Sequence, residues 1–219
     1  MINEDYEVAP WVHEMKKSRF TSFYKNSEST EQFLPTENKY GVIVRSEQAR
    51  SLDSFQEIIW TNSACTVRHI GDGILSLSWK SKMNTIGGEV LAGINKAIDL
   101  AEEKYNGLVI YNQGDNFSAG ANVGMIFMFA VEQEYEELDM AVRYFQKTVM
   151  RLRYSNIPVV VAPHGLALGG ACEMSMHSDA TVAHAETYMG LVEMGVGVIP
   201  GGAGTKEFAL RASDEMKEG

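Results

Sequence analysis

Residues 157–174 read IPVVVAPHGLALGGACEM, and this stretch decides the fold. Its apolar run falls short of the roughly 18 residues a membrane-spanning helix needs. Pro158, Pro163, His164 and several small residues interrupt it. The run IPVVVAP (157–163) predicts a short strand that is apolar on successive positions and therefore buried on both faces. The Gly169–Gly170 pair then predicts a tight turn into a short helix.

Working outward, GLVIYN (107–112) repeats the buried-strand pattern and QGDNFSAGAN (113–122) repeats the glycine-bearing loop behind it. Between the two strands, Leu138, Val142, Phe145, Val149 and Leu152 mark one helix face, with acids gathered at its start in EQEYEELD. Upstream, Ile86, Val90, Ile94, Ile98 and Ala101 recur at helical spacing. Before them, Cys65, Val67 and His69, then Leu75, Leu77 and Trp79, alternate with polar residues on either side of GDG (71–73), which predicts a hairpin. DATVAH (179–184) is read as a further strand. Alternating strands and helices point to a mixed α/β fold.

The first sixty residues differ, with scattered aromatics, a polar Ser/Thr/Glu/Asn stretch and no sustained period. They are expected to form a poorly structured N-terminal extension or linker (1–60) ahead of a core at 61–219. The whole chain, 219 residues with 45% hydrophobic and 22% charged, suits one large domain with an appendage and excludes disorder, collagen and coiled coil. Nineteen basic against 29 acidic residues give a net charge of −10, which argues against nucleic acid or an anionic membrane as partner. The start MINEDYEVAP is acidic and lacks a leader's apolar run, so a cytoplasmic protein is expected. Cys65 and Cys172 are too few for a disulfide framework, and the five histidines lack HExxH spacing, so no metal is expected. No G-x-G-x-x-G follows a strand, VIPGGAGTKEF lacks the GK[ST] order of a phosphate loop, and Asn116 replaces the first glycine of a nucleophile elbow.

Two loops remain informative. FSAGAN (117–122) and GLALGGACEM (165–174) each place unshielded backbone N–H groups at the end of a buried strand, the second at a helix start. They are either plain strand-to-helix turns or, converging, an oxyanion hole. Glu173 follows Gly170 by three positions, and Glu193 lies between Val192 and Met194 in a stretch poor in charge. A carboxyl among apolar neighbours is costly to bury unless paired or protonated. Two such groups sharing a water would form an acid–base pair; otherwise Glu173 is a solvated helix position and Glu193 a surface-loop residue. The Met-rich run GMIFMFA (124–130) is either core or part of a flexible ligand wall, with Met125 and Phe129 as candidates.

Taken in order, FSAGAN, APHGLALGGACEM and YMGLVEMGVGVIPGGAGT resemble the crotonase (enoyl-CoA hydratase/isomerase) superfamily from about residue 63 to 212. The resemblance implies a spiral of β-β-α units and an acyl-CoA thioester whose oxygen is held by the backbone N–H groups of Ala121 and Gly170. It implies Glu173 and Glu193 as catalytic acids, with Ala119 beside Met125 and Phe129 at the substrate. Both acids being glutamate makes hydration of trans-2-enoyl-CoA in β-oxidation the leading expectation. A Δ3,Δ2-enoyl-CoA isomerase and a non-catalytic acyl-CoA-binding fragment are the alternatives. No cofactor is implied beyond the coenzyme A of the substrate, and a homo-oligomer, by resemblance a trimer, is. Asn122 departs from the family's usual Asp. Family members continue further at the C-terminus, and PWVHEMKKSRFTSFYK (10–25) resembles the end of a 3-hydroxyacyl-CoA dehydrogenase part. A fragment of a two-activity protein, truncated at its C-terminus and preceded by a covalent dehydrogenase domain, is therefore expected.

Overall fold

Residues 8–20, 22–26, 30–42 and 51–218 are described by a computed structural model. Contacts divide the chain into two units, Met1–Ser51 and Leu52–Gly219. In the first, α1 (Pro10–Lys17) starts on a proline, whose missing N–H costs nothing there, and carries Lys16 and Lys17 in its last turn. Strands β1 (Tyr24–Asn26), β2 (Thr30–Leu34) and β3 (Lys39–Val42) form an antiparallel sheet. The aromatics that show no period in the sequence meet here, with Trp11, Phe20 and Tyr40 ringed around the buried Phe33 at centroid distances of 5.3–6.4 Å.

The second unit holds the candidate site. Its strands β4 (Ile58–Thr61), β5 (Cys65–His69) and β6 (Ile74–Trp79) form an antiparallel meander. The turn at 71–73 joins β5 to β6, and β4 spans the expected 60/61 boundary and pairs with β5. Helix α2 (Gly88–Lys104) follows, burying Val90, Ile94, Ile98 and Ala101. Glu89 at its start and Lys104 at its end both suit the helix dipole. Then come β7 (Gly107–Ile110), α3 (Val123–Val131) and α4 (Tyr135–Arg153). They are followed by β8 (Val159–Val161), β9 (Leu166–Leu168) and α5 (Gly170–Met176). Strands β10 (Ala180–Thr181) and β11 (Tyr188–Gly190) and helix α6 (Gly204–Glu218) complete the order.

The main sheet runs β10-β8-β7-β6-β5-β4, parallel from β10 to β6. As their composition predicts, β7 and β8 are buried between layers, with Leu108, Ile110, Val159 and Val161 at most 1% exposed. Strand β9, which the sequence presents only as the lead into a turn, exists because it is paired twice: with β11, and through an isolated parallel bridge between Ala167 and Ser118. Helix α3 corrects the core-packing option, since none of its residues is buried. It packs on α4, while Phe127, Met128 and Val131 stay about 60% exposed.

Candidate active site

The two glycine-bearing loops touch. Ser118 N–H donates to Leu166 O at 2.9 Å and Leu168 N–H to Ser118 O at 3.0 Å, which stitches loop 117–121 to β9. Asn112, fully buried, fixes the loop's base by accepting from Trp79 N–H and donating to Phe117 O. Gly120 adopts φ +84°, and a Cβ there would stand 2.5 Å from Leu168 O and 3.3 Å from Gly170 N. Glycine is therefore required where one loop crosses the other. The Ala121 N–H and the Gly170 N–H donate no hydrogen bond among the described residues. For Gly170 this follows from its place as first residue of α5, where an N–H has no intrahelical acceptor. Ala119, two residues before Ala121, is tied by its N–H to Met83 O at 3.1 Å.

Glu173 is 2% exposed. Its Oε1 accepts the N–H groups of Gly202 and Gly204, both at 2.8 Å, while Oε2 accepts none among the described residues. Burial pushes this carboxyl above the ordinary glutamate value; the Gly204 amide opposes that, Glu193 adds to it, and the Gly202 amide opposes it again. Glu193 is half-buried in a 3₁₀ turn, with Oε2 shielded and unpartnered among the described residues. Its Oε1 lies 3.0 Å from where a Cβ on Gly169 would stand, directly before Gly170. Gly169 itself has φ +53°, so a side chain there would meet both strain and the carboxylate. Phe145 of α4 walls the same space, its ring tip 3.0 Å from a Cβ position on Gly170.

The remaining positions that the sequence singled out have settings of their own. Met125 is 37% exposed and Phe129 half-buried on α3, whose start is capped by the Asn122 side chain accepting Met125 N–H at 3.3 Å. Burial, with Glu173 and Glu193 adding to it and Arg211 opposing, pushes the Cys172 thiol up to about 11, so it is an inert packing group. His164 Nε2 donates to Gly114 O at 2.8 Å, a structural tie. Sequence reasoning missed the Gly202 and Gly204 amides and Phe145. The GGAG run before a helix carries the same backbone-exposure signal that marks Gly169–Gly170.

The enoyl-CoA hydratase/isomerase family model matches residues 71–214. The chain belongs to this family. A Bacillus subtilis (strain 168) protein named as a probable 3-hydroxyacyl-CoA dehydrogenase is 38% identical over 207 residues, covering 93% of this chain and 26% of that protein. A Dictyostelium discoideum protein named as a probable mitochondrial enoyl-CoA hydratase is 27% identical over 66% of this chain and 50% of its own length. The chain thus spans between a quarter and a half of these relatives. A Polaromonas enoyl-CoA hydratase crystal structure superposes with TM-score 0.63 at 24% identity, covering 67% of this chain and 58% of that one, which shows the crotonase fold. Among the described residues no helix is long and apolar enough to cross a membrane.

Proposed function

We propose that this chain adds water across the 2,3 double bond of trans-2-enoyl-CoA thioesters. The observation that carries the reading is Glu173: a buried carboxyl with one oxygen locked by two amides and the other unbonded, electrostatically coupled to Glu193. The thioester oxygen would accept the unused N–H groups of Ala121 and Gly170, making Cβ electrophilic. Glu173 Oε2 takes a proton from water as the water oxygen bonds to Cβ and the π electrons move onto the thioester oxygen. Glu193 then delivers its proton to Cα as the carbonyl re-forms, and proton exchange with solvent restores both acids. The net change is addition of one water, with no redox step, so the chemistry calls on no resident metal or cofactor. Ala119, Met125 and Phe129 would line the acyl-CoA path.

The test follows loss of the conjugated enoyl absorbance of crotonyl-CoA. Wild type is expected to consume it, and Glu173→Gln to slow it by about 10²–10⁴-fold, the range of a lost general base. A full rate in Glu173→Gln removes the assigned base. Wild type that shifts only a 3-enoyl double bond is an isomerase, and one that binds the thioester without turnover is a binding module.

On the same footing we propose a place in fatty-acid β-oxidation, in the cytoplasm, within a protein that also carries a dehydrogenase part. The name of the Bacillus subtilis relative supports the last point. The exposed apolar side chains of α3 support assembly as a homo-oligomer.

A further inference from the structure

His177, four residues beyond Glu173, caps α5 with a wholly buried side chain. Its Nδ1 lies 2.7 Å from the Glu173 carbonyl oxygen. A carbonyl only accepts, so Nδ1 carries a proton, and in a neutral ring Nε2 is left as an acceptor. Nε2 faces Glu207 Oε1 at 3.7 Å. Nε2 makes no hydrogen bond among the described residues, whereas Oε1 has the Lys206 ammonium 3.2 Å away; both atoms are shielded from solvent. Lys206 already serves Oε1, so it is Nε2 that lacks a partner, and a proton on it would satisfy the ring against the Glu207 carboxylate.

The charges around this pair come from every element packed on it. Arg153 of α4 is ion-paired with Glu207 Oε2, and Lys206 Nζ of α6 approaches Oε1 to 3.2 Å. Arg211 of α6 donates to Met176 O at 2.6 Å. Asp179 and Asp214 line the adjoining cavity of about 310 Å³. Burial lowers the His177 pKa, opposed by its bond to the Glu173 carbonyl and by Glu207, then assisted by Arg153 and Lys206.

Glu207 sits three residues beyond Gly204 in the first turn of α6, immediately after the two amides that hold Glu173 Oε1. The ring therefore joins the far end of the Glu173 helix to the helix whose entry grips the Glu173 carboxyl. We propose that His177 is a positioning residue for Glu173: through Glu207 it keeps the entry of α6 in register, so that the Gly202 and Gly204 amides meet the carboxylate. This deepens the hydratase reading and rests on it for its catalytic meaning, but the state of the Glu173 carboxyl can be read without substrate.

The experiment titrates ¹³C-glutamate carboxyl resonances by NMR, with Glu173 assigned from the signal lost in Glu173→Gln. His177→Gln places an amide where Nε2 stands and can still reach Glu207; His177→Asn places one where Nδ1 stands and can only cap the Glu173 carbonyl. In His177→Asn the Glu173 midpoint should rise by about one pH unit, because lost amide bonds no longer favour the charged form. Crotonyl-CoA kcat should fall about tenfold with KM within about twofold, as small misplacement of a catalytic group does. His177→Gln should restore both, and Glu207→Asp, which draws the carboxylate away from Nε2, should follow the Asn variant. Asn and Gln variants that behave alike, or an unmoved midpoint in all three, overturn the inference. A wild type that fails to hydrate crotonyl-CoA while the midpoints still separate sinks the hydratase reading and leaves the positioning role standing.

Discussion

Burial, with the Glu193 carboxylate adding to it, raises the Glu173 pKa more than the Gly204 and Gly202 amides lower it, and that imbalance has a sign that can be measured. A carboxyl whose folded pKa is raised stabilises the fold fully while protonated, below its unfolded value, and loses that contribution as pH rises through its folded value. Glu173→Gln keeps an oxygen for the two amides and never ionises. It is therefore expected to melt above wild type at neutral pH, with the gap closing as acid protonates Glu173, as read by calorimetry across about pH 4–8. A gap that widens in acid would reverse the assigned shift. Both acids were visible in the sequence because charge among Val, Met, Ala and Cys is conspicuous. Their holders were not, because a main-chain N–H leaves no letter of its own and His177 and Glu207 look like ordinary helix residues until α5 and α6 are packed.

At the scale of elements, the apolar runs at 107–112 and 157–163 identified β7 and β8, each a little shorter than its run, because continuous apolar, β-branched sequence has few other solutions. Helices α2 and α4 were equally readable from their spacing. Strand β9 was not, since three residues ending in glycines become a strand only when Ser118 and β11 supply partners. Helix α3 misleads in the other direction: VGMIFMFAV has a core's composition but lies at the surface. Exchanging Phe127 or Met128, 66% and 59% exposed, for Ser should change stability by no more than about 0.5 kcal/mol. Leu152→Ala on the fully buried end of α4 should cost about 2–5 kcal/mol. Denaturant midpoints of the three variants, taken at a concentration where the chain is monomeric, test the contrast, and a large loss at Phe127 would mean that α3 is packed within its own chain after all.

For the molecule as a whole, the apolar cluster that holds the second unit together runs from Cys65 to Met174. A chain of residues 52–219 is expected to unfold in one cooperative transition at a melting temperature within a few degrees of the full chain, by circular dichroism; a broad, non-cooperative melt would contradict this. The pairing of Glu173 with the Gly204 amide also has a consequence for synthesis. Thirty-one residues separate the two partners. At about 5–20 residues per second a ribosome takes roughly 2–6 s to cover that distance. For those seconds the nascent acid has no grip from the glycine turn, and a ribosome stalled between the two codons would hold the Glu173 carboxyl without the amides that fix one of its oxygens.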